Sequence, residues 1–332
     1  MRDASGRAAA APPGTRRRER GVHGPVDSAA ESVPSEPLEE WAAETDPPSE
    51  PRATGPDAEE LRLVARAVDG DQAALREVIG RLQDPLYRLA LRMVGRPPDA
   101  EDAVQEILLR VVTRLSTWRG EAKLLTWAYR VGVNYLLNLR RRSPQESDQL
   151  SLDDFRDDLA DGLATADHRG PEAALLAEEV RLSCTQAMLQ CLSRDERVVF
   201  VLGEIFELKA AEAAWILGTT PAACQKRLER VKQRLGTFLR STCGLVEPTA
   251  FCRCPRRVDK ARTLGRIDLG RPAFATHRVS AGGRGVAEAA AQLHRLRDAA
   301  AVLRAHPDYA APQAKIDAVT GLLTSGRFPL LD

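Results

Sequence analysis

Apolar residues recur every three or four positions from Ala58 onward, and this spacing constrains the fold more than any other feature of the chain. The clearest stripe follows Pro97 and Pro98 and runs from Ala100 to Leu115. Such spacing is typical of amphipathic helices, whereas half-buried strands need a two-residue alternation that is almost absent here. The sequence therefore predicts an all-α fold.

Shifts in composition divide the 332 residues into five segments. Residues 1–57 are rich in Pro, Ala, Gly, Ser and Glu, which predicts a disordered tail, part of which could reflect a start codon assigned too far upstream. A helical block over residues 58–142 is followed by a polar, acidic stretch over residues 143–170, which we predict to be a flexible linker. A second helical block covers residues 171–242, and residues 243–332 form a C-terminal extension with further helices.

Charge is segregated along the chain although the net charge is only +1. Basic residues cluster at Arg140, Arg141 and Arg142 and again between Lys226 and Arg240. A nucleic-acid partner, if there is one, must therefore be bound by local patches. No apolar run is long enough for a signal peptide or a membrane span, so we expect a cytoplasmic protein without membrane insertion. Five scattered histidines and no nucleophile beside a base argue against an enzyme.

Residues 210–242 have the pattern of a helix-turn-helix. Gly218 supplies the turn after a short helix, Thr220 can cap the next helix, and Pro221 suits its first position. An ordinary helical hairpin with a solvated basic face would show the same short pattern. As a recognition helix, the second helix would contact duplex DNA through its outward polar side chains. These candidates are Thr220, Gln225, Lys226, Arg227, Arg230 and Arg234.

Two stretches in the right order resemble the extracytoplasmic-function (ECF) group of RNA polymerase sigma factors. The first, which resembles the group's second conserved region, comprises Asp99-Ala-Glu-Asp-Ala-Val-Gln-Glu106 and then Trp118, Thr126-Trp127, Asn134 and Arg140-Arg-Arg142. The second, which resembles the fourth region, comprises Leu192-Ser-Arg-Asp-Glu-Arg197 and then Glu212, Ala214, Leu217-Gly218 and Lys226-Arg227-Leu228. Together they cover about residues 58–242.

The resemblance implies a helical subunit that directs core RNA polymerase to promoter DNA. In this group an acidic helix binds the clamp helices of the largest polymerase subunit, which would be the role of Asp99, Asp102, Gln105 and Glu106. The melted strand of the minus-ten element would be held by aromatic and basic side chains. These would be Trp118, Lys123, Trp127, Asn134, Arg140, Arg141 and Arg142. An anti-sigma factor is a further partner that the resemblance suggests, and no cofactor is required.

Alternatives remain open at several of these positions. Trp127 could equally be a core residue, and the run of arginines could be a solvated helix end that favours the helix dipole. The chain also departs from the group's pattern at Ala213, Ala223 and Cys224, so base preferences cannot be transferred. Gln225 stands where the group often has Lys and would favour adenine if it reached a base edge.

Cys243, Cys252 and Cys254 lie close together just after the second helical block, in a stretch that resembles an extension of some group members. Three thiolates could bind zinc with His277 or a water as the fourth ligand, although the spacing is unlike the usual paired Cys-x-x-Cys motifs. Redox sensing and simple burial are the alternatives. Neighbouring arginines would lower the thiol pKa values and so favour both active roles.

We therefore predict a sigma factor that initiates transcription, with an extension that regulates it. One alternative is a conventional helix-turn-helix regulator that acts without core polymerase, which would leave the acidic helix without a role. The other is a metal or redox sensor built around the cysteines.

Overall fold

The computed structural model describes residues 55–139, 151–268, 270–290 and 299–323. In these ranges the regular elements are helices, and strand-like pairing is limited to two isolated bridges, which confirms the all-α prediction. Most of the predicted disordered tail and the run Arg140 to Arg142 lie outside the described residues.

Four helices form the first helical block, and they share one apolar cluster. The core-facing stripe predicted between Ala100 and Leu115 is buried along its length, with Val104, Ile107 and Leu108 fully enclosed. A single 3-10 turn precedes the last of the four helices. The helices are α1 (Ala58–Val68), α2 (Gln72–Val94), α3 (Pro97–Thr113) and α4 (Leu124–Asn138).

The long helix α2 differs from what its sequence predicts, since Asp84 followed by Pro85 has the pattern of a helix cap and a first helical position, which would divide the segment into two helices. The structure has one continuous helix with Pro85 inside it. Asp84 caps no helix; its Oδ1 accepts a hydrogen bond from the Ala311 backbone N–H at 2.9 Å. The capping pattern was therefore misleading, because the polar side chain of Asp84 serves a contact made far along the chain.

The second helical block contains the predicted helix-turn-helix. Gly218 adopts a left-handed backbone with φ of 66°, which ends the short helix, and the Thr220 hydroxyl accepts from the Ala223 backbone N–H at 3.2 Å. Both features are as the sequence predicts. The helices are α6 (Ala173–Gln190), α7 (Arg194–Phe200) followed by a π-turn at Val201–Ile205, α8 (Ala210–Leu217) and α9 (Pro221–Thr242).

The acidic stretch between the blocks is more structured than the predicted flexible linker. Residues 151–170 include a helix, α5 (Leu152–Ala160), which Ser151 and Asp154 cap reciprocally. Acidic side chains of α5 and of the residues that follow it pair with a basic helix of the extension, α10 (Cys254–Thr263), and with the turn after α10. The pairs are Asp158 with Arg266, Asp161 with Lys260, and Asp167 with Arg256. The sequence reading missed this because the charge partners lie about a hundred residues apart.

The rest of the extension contacts both helical blocks. As predicted, the extension contains further helices. Residues 286–290 are helical, residues 291–298 are not described, and the last two helices are α11 (Ala299–Arg304) and α12 (Gln313–Leu323). Arg304 of α11 pairs with Glu204 and Glu207 of the second block, whereas α12 packs on α2 and α3 of the first.

The two helical blocks are joined where α2 ends. The buried guanidinium of Arg197 donates to the backbone carbonyl of Met93 in α2 and to carbonyls at the end of α6 and just after it, those of residues 189, 190 and 192. The Gln186 amide donates to the Leu91 carbonyl at 2.7 Å. The last turn of a helix leaves carbonyls without intrahelical partners, so these side chains satisfy groups whose burial would otherwise be costly.

Replacing Arg197 by Met should therefore destabilise the fold. A charge-assisted hydrogen bond contributes about 1.5–3 kcal/mol, and allowing for retained packing we expect a loss of about 2–3 kcal/mol. Urea unfolding followed by circular dichroism measures it. Arg230→Met, at an exposed site on α9, is the matched control and should change little. Equal stability of the two variants would contradict the role given to Arg197.

Candidate nucleic-acid and polymerase interface

The four polar residues predicted to bind core polymerase share one side of α3. Asp99 and Asp102 are exposed, while Gln105 and Glu106 are half-buried. Asp99 lies 3.8 Å from Arg96, and Glu106 pairs with Arg110 at 2.8 Å. The buried stripe on the opposite side of the helix holds this acidic face in place.

Trp118, predicted to contact the melted strand, is largely buried. Only 8% of its surface is exposed, and its indole N–H donates to the Ala122 carbonyl at 3.0 Å. Because it also lines the cleft formed by Trp127, Arg130 and Trp215, its role in binding a melted base stays a prediction. Lys123 and Asn134, from the same predicted set, are exposed.

Trp127 has features of both of its predicted roles, that of a core residue and that of a strand-binding residue. It packs against the apolar cluster of the first block and is half-buried, as a core residue would be. It also lines a cleft of about 140 Å³ together with Arg130 of α4 and Trp215 of α8. The Arg130 guanidinium lies 4.8 Å above the Trp215 ring, a cation–π distance. The sequence reading missed Arg130 and Trp215, because only folding brings α8 against α4.

The contact between α4 and α8 extends beyond this cleft. The Thr126 hydroxyl donates to the Glu212 carboxylate at 2.6 Å, and the rings of Tyr129 and Phe206 stack at 5.5 Å. Thr126 and Glu212 both belong to the motifs that carry the family resemblance. Residues quoted from two separate motifs thus meet in one interface.

The predicted duplex-binding residues of α9 divide into exposed and buried sets. Arg227 is the exception to the predicted outward face, with only 9% of its surface exposed. It neighbours Asp195. Burial raises the pKa of the Asp195 carboxyl, and the positive charge of Arg227 partly opposes that rise. Arg227 is therefore a structural residue rather than part of the open face. The exposed ones are Thr220, Gln225, Lys226, Arg230 and Arg234.

Comparison with known families identifies both helical blocks. Residues 78–144 match Sigma-70 region 2, and residues 182–235 match Sigma-70, region 4. The chain is 28% identical over 186 residues to the ECF RNA polymerase sigma factor SigW of Bacillus subtilis, spanning 54% of this chain and 96% of that protein. Together these matches support an ECF-type sigma factor. Its function is to direct RNA polymerase to promoters, and neither alternative function is favoured.

Other relatives align over the same half of the chain. The RNA polymerase sigma-H factor of Pseudomonas aeruginosa is 27% identical, over 54% of this chain and 94% of that protein. The ECF RNA polymerase sigma-E factor of Escherichia coli is 29% identical, over 52% of this chain and 90% of that protein. A solved structure of CnrH in complex with the cytosolic domain of CnrY is 24% identical, with a TM-score of 0.38, and covers 54% of this chain and 96% of CnrH.

The described part of this sigma factor includes no helix with the length and apolar character needed to cross a membrane.

The cysteines of the extension come together with a fourth that the sequence reading missed. Cys243 and Cys252 are neighbours in an isolated parallel bridge, and the Cys184 thiol on α6 interacts electrostatically with Cys243, Cys252 and Cys254. His277, the proposed fourth zinc ligand, lies elsewhere and stacks on Tyr87 at 5.4 Å. Among the described residues, no three His, Cys, Asp or Glu side chains are arranged to hold a metal ion.

Burial dominates the chemistry of these thiols. It raises the pKa of Cys252 to about 11, and the nearby Arg253 and Arg257 only partly oppose it. Burial likewise raises the pKa of Cys184, Cys243 and Cys254 above the ordinary thiol range. The expectation that arginines would lower these pKa values is therefore wrong, because desolvation outweighs their charge.

Alkylation can test this protonation state. A thiol with a pKa of about 11 holds roughly a hundredfold less thiolate at pH 8 than an ordinary cysteine, so Cys252 in the folded protein should react that much more slowly with iodoacetamide. Mass spectrometry after timed quenching gives the rate, and urea-unfolded protein is the control. Rapid modification in the folded state would contradict the pKa shift.

Proposed function

We propose that this sigma factor binds core polymerase through the acidic face of α3. The supporting observation is that Asp99 and Asp102 are exposed and lie beside Gln105 and Glu106, on a helix whose other side is fully packed. A rigid helix that presents carboxylates suits a basic helical partner, because opposite charges speed encounter and set orientation. The residues correspond to the group's acidic helix.

Replacing Asp99 and Glu106 together by Ala should weaken core binding roughly tenfold, which corresponds to about 1.4 kcal/mol. These two carboxylates are chosen because their ion pairs are with Arg96 and Arg110 inside the first block, so the extension is disturbed little. Titration of labelled sigma factor with core polymerase measures the affinity.

The matched control for this variant is Glu59→Ala/Asp69→Ala, which removes the same charge from exposed positions of α1 and its C-terminal cap. Equal affinities of the two double variants would rule out α3 as the core-binding helix.

We further propose that Lys123, Trp127, Asn134 and the run Arg140 to Arg142 bind the melted minus-ten strand. Single strands are held by stacking on aromatic rings beside basic groups, and the cleft at Trp127 offers both. Trp118 lines the same cleft, but because it is largely buried we assign it to the wall of the cleft and not to stacking.

Promoter binding requires the two helical blocks to separate. The two promoter elements lie about 25 base pairs apart, which is roughly 85 Å at 3.4 Å per base pair. In the structure α4 packs directly against α8, so the minus-ten cleft is next to the helix-turn-helix. A chain closed in this way cannot reach both elements, and we propose that the contacts of Thr126 and Arg130 break when DNA is bound.

For the minus-thirty-five element we propose that Gln225 and Lys226, near the start of α9, contact base edges in the major groove. Thr220 beside them, and Arg230 and Arg234 further along, would contact phosphates. Arg227 is left out because it is buried.

Replacing Gln225 by Ala should cost about 1–3 kcal/mol at one base pair and relax the preference there. Arg230→Ala, which removes a phosphate contact, should weaken binding to all sequences alike and reduce the salt dependence. Binding to a library of duplexes at two salt concentrations separates the two effects. Indistinguishable base preferences of wild type and Gln225→Ala would contradict the proposal.

The remaining expectations are proposals that follow from this function. Promoter recognition needs no cofactor and no catalytic group, and the protein acts in the cytoplasm with polymerase and DNA. An anti-sigma partner stays a prediction. Zinc binding by Cys243, Cys252 and Cys254 also stays a prediction, now with Cys184 as the nearest additional thiol, and it would require these thiols to move and to lose their protons.

A further inference from the structure

The last helix of the extension lies on the helix that we assign to core polymerase. The apolar side of α12, formed by Ile316, Val319 and Leu323, is buried in the same cluster as the apolar stripe of α3. This helix belongs to neither sigma region, since the family matches end at residue 235. The extension thus adds an element to the first block that the two-region plan lacks.

Polar contacts place α12 on the acidic face itself. The Lys315 ammonium lies 3.2 Å from the Asp102 carboxylate, and the Gln105 amide donates to the Lys315 carbonyl at 3.3 Å. Glu101, which directly precedes Asp102 in the sequence, has a carboxyl pKa raised by burial, and the charge of Lys315 partly opposes that rise. Two of the four residues assigned to polymerase binding are therefore engaged by the extension.

Residues 273–280 of the extension form hydrogen bonds with both helical blocks. The buried Glu179 carboxylate of α6 accepts hydrogen bonds from the backbone N–H groups of Ala273, Phe274 and Ala275 at 2.7–3.2 Å. On the first block, Arg88 of α2 donates to the Ser280 hydroxyl at 3.1 Å. Nearer to α12, the Asp84 carboxylate of α2 accepts a hydrogen bond from the Ala311 backbone N–H at 2.9 Å, which holds the chain on the first block just before α12 begins at Gln313.

We propose that the extension is an inhibitory segment built into the chain, in which α12 occupies the polymerase-binding face of α3. In this proposal α12 and core polymerase bind the same face of α3, so they compete for Asp102 and Gln105. This inference rests on the assignment of α3 to polymerase binding. Because α12 must leave before polymerase binds, the apparent affinity is reduced by the fraction of molecules in which the face is free.

The contact is weak enough to be reversible. The Lys315 and Asp102 side chains remain 41% and 65% exposed, so their ion pair contributes little. Most of the attraction comes from three apolar side chains on an eleven-residue helix. Such a short helix has little stability of its own in water, so release from α3 would be accompanied by its unfolding.

The test compares two substitutions in the full chain that add the same charge to adjacent positions of α12. Val319→Asp places a carboxylate in the buried contact with α3, whereas Ala318→Asp places one on the exposed side. Val319→Asp should bind core polymerase at least tenfold more tightly than wild type, and Ala318→Asp should stay within about twofold, since a buried unpaired carboxylate opposes docking. Titration of labelled protein with core polymerase measures both.

Lys315→Glu is a second variant that leaves the apolar contact intact and replaces the attraction to Asp102 by repulsion. It should tighten binding to core polymerase about threefold. If Val319→Asp fails to fold, this variant alone tests the inhibitory role of α12. Unchanged affinity in Lys315→Glu and in any folded Val319→Asp protein, while Asp99→Ala/Glu106→Ala still weakens binding, would overturn the inhibitory role alone. If that double variant binds as wild type does, the assignment of α3 fails, and the inference fails with it.

Discussion

The buried guanidinium of Arg197 is the interaction on which the arrangement of the two sigma regions depends. It binds the carbonyl of Met93 at the end of α2 and, at the same time, carbonyls at the end of α6 and just after it. A helix end cannot be buried unless its carbonyls find donors, so this side chain allows the two blocks to pack directly. Gln186 completes the junction on Leu91.

This junction brings together the two surfaces that we propose to bind DNA. With the end of α2 held, α4 meets α8, Thr126 binds Glu212, and Trp215 covers one side of the cleft at Trp127. Under the proposed function the same surfaces separate to span a promoter. Polymerase and DNA would then favour the open arrangement only through the contacts that they make there. The extension, anchored on both blocks, adds to the closed state.

The cysteine group shows how magnitudes decide between opposing effects. Three arginines in the neighbouring sequence suggest activated thiolates, but burial in an apolar setting disfavours any charged form more strongly. The pKa of Cys252 therefore rises to about 11 despite Arg253 and Arg257. Which effect dominates depends on how deeply the thiols are buried, and a linear sequence does not contain that information.

The sequence by itself determined the all-α class, the helix-turn-helix and the resemblance to a family, because these follow from local spacing, from caps such as Thr220 and from motifs a few residues long, whereas the continuity of α2 and the helix α5 depend on contacts made far along the chain. Only the tertiary structure decided which of the predicted site residues are accessible. Trp118 and Arg227 carry the expected pattern yet are enclosed, whereas Trp215 and Cys184 join groups that no local pattern links to them. The docking of α12 on α3 has the same origin, since residues 102 and 315 meet only when the whole chain has packed.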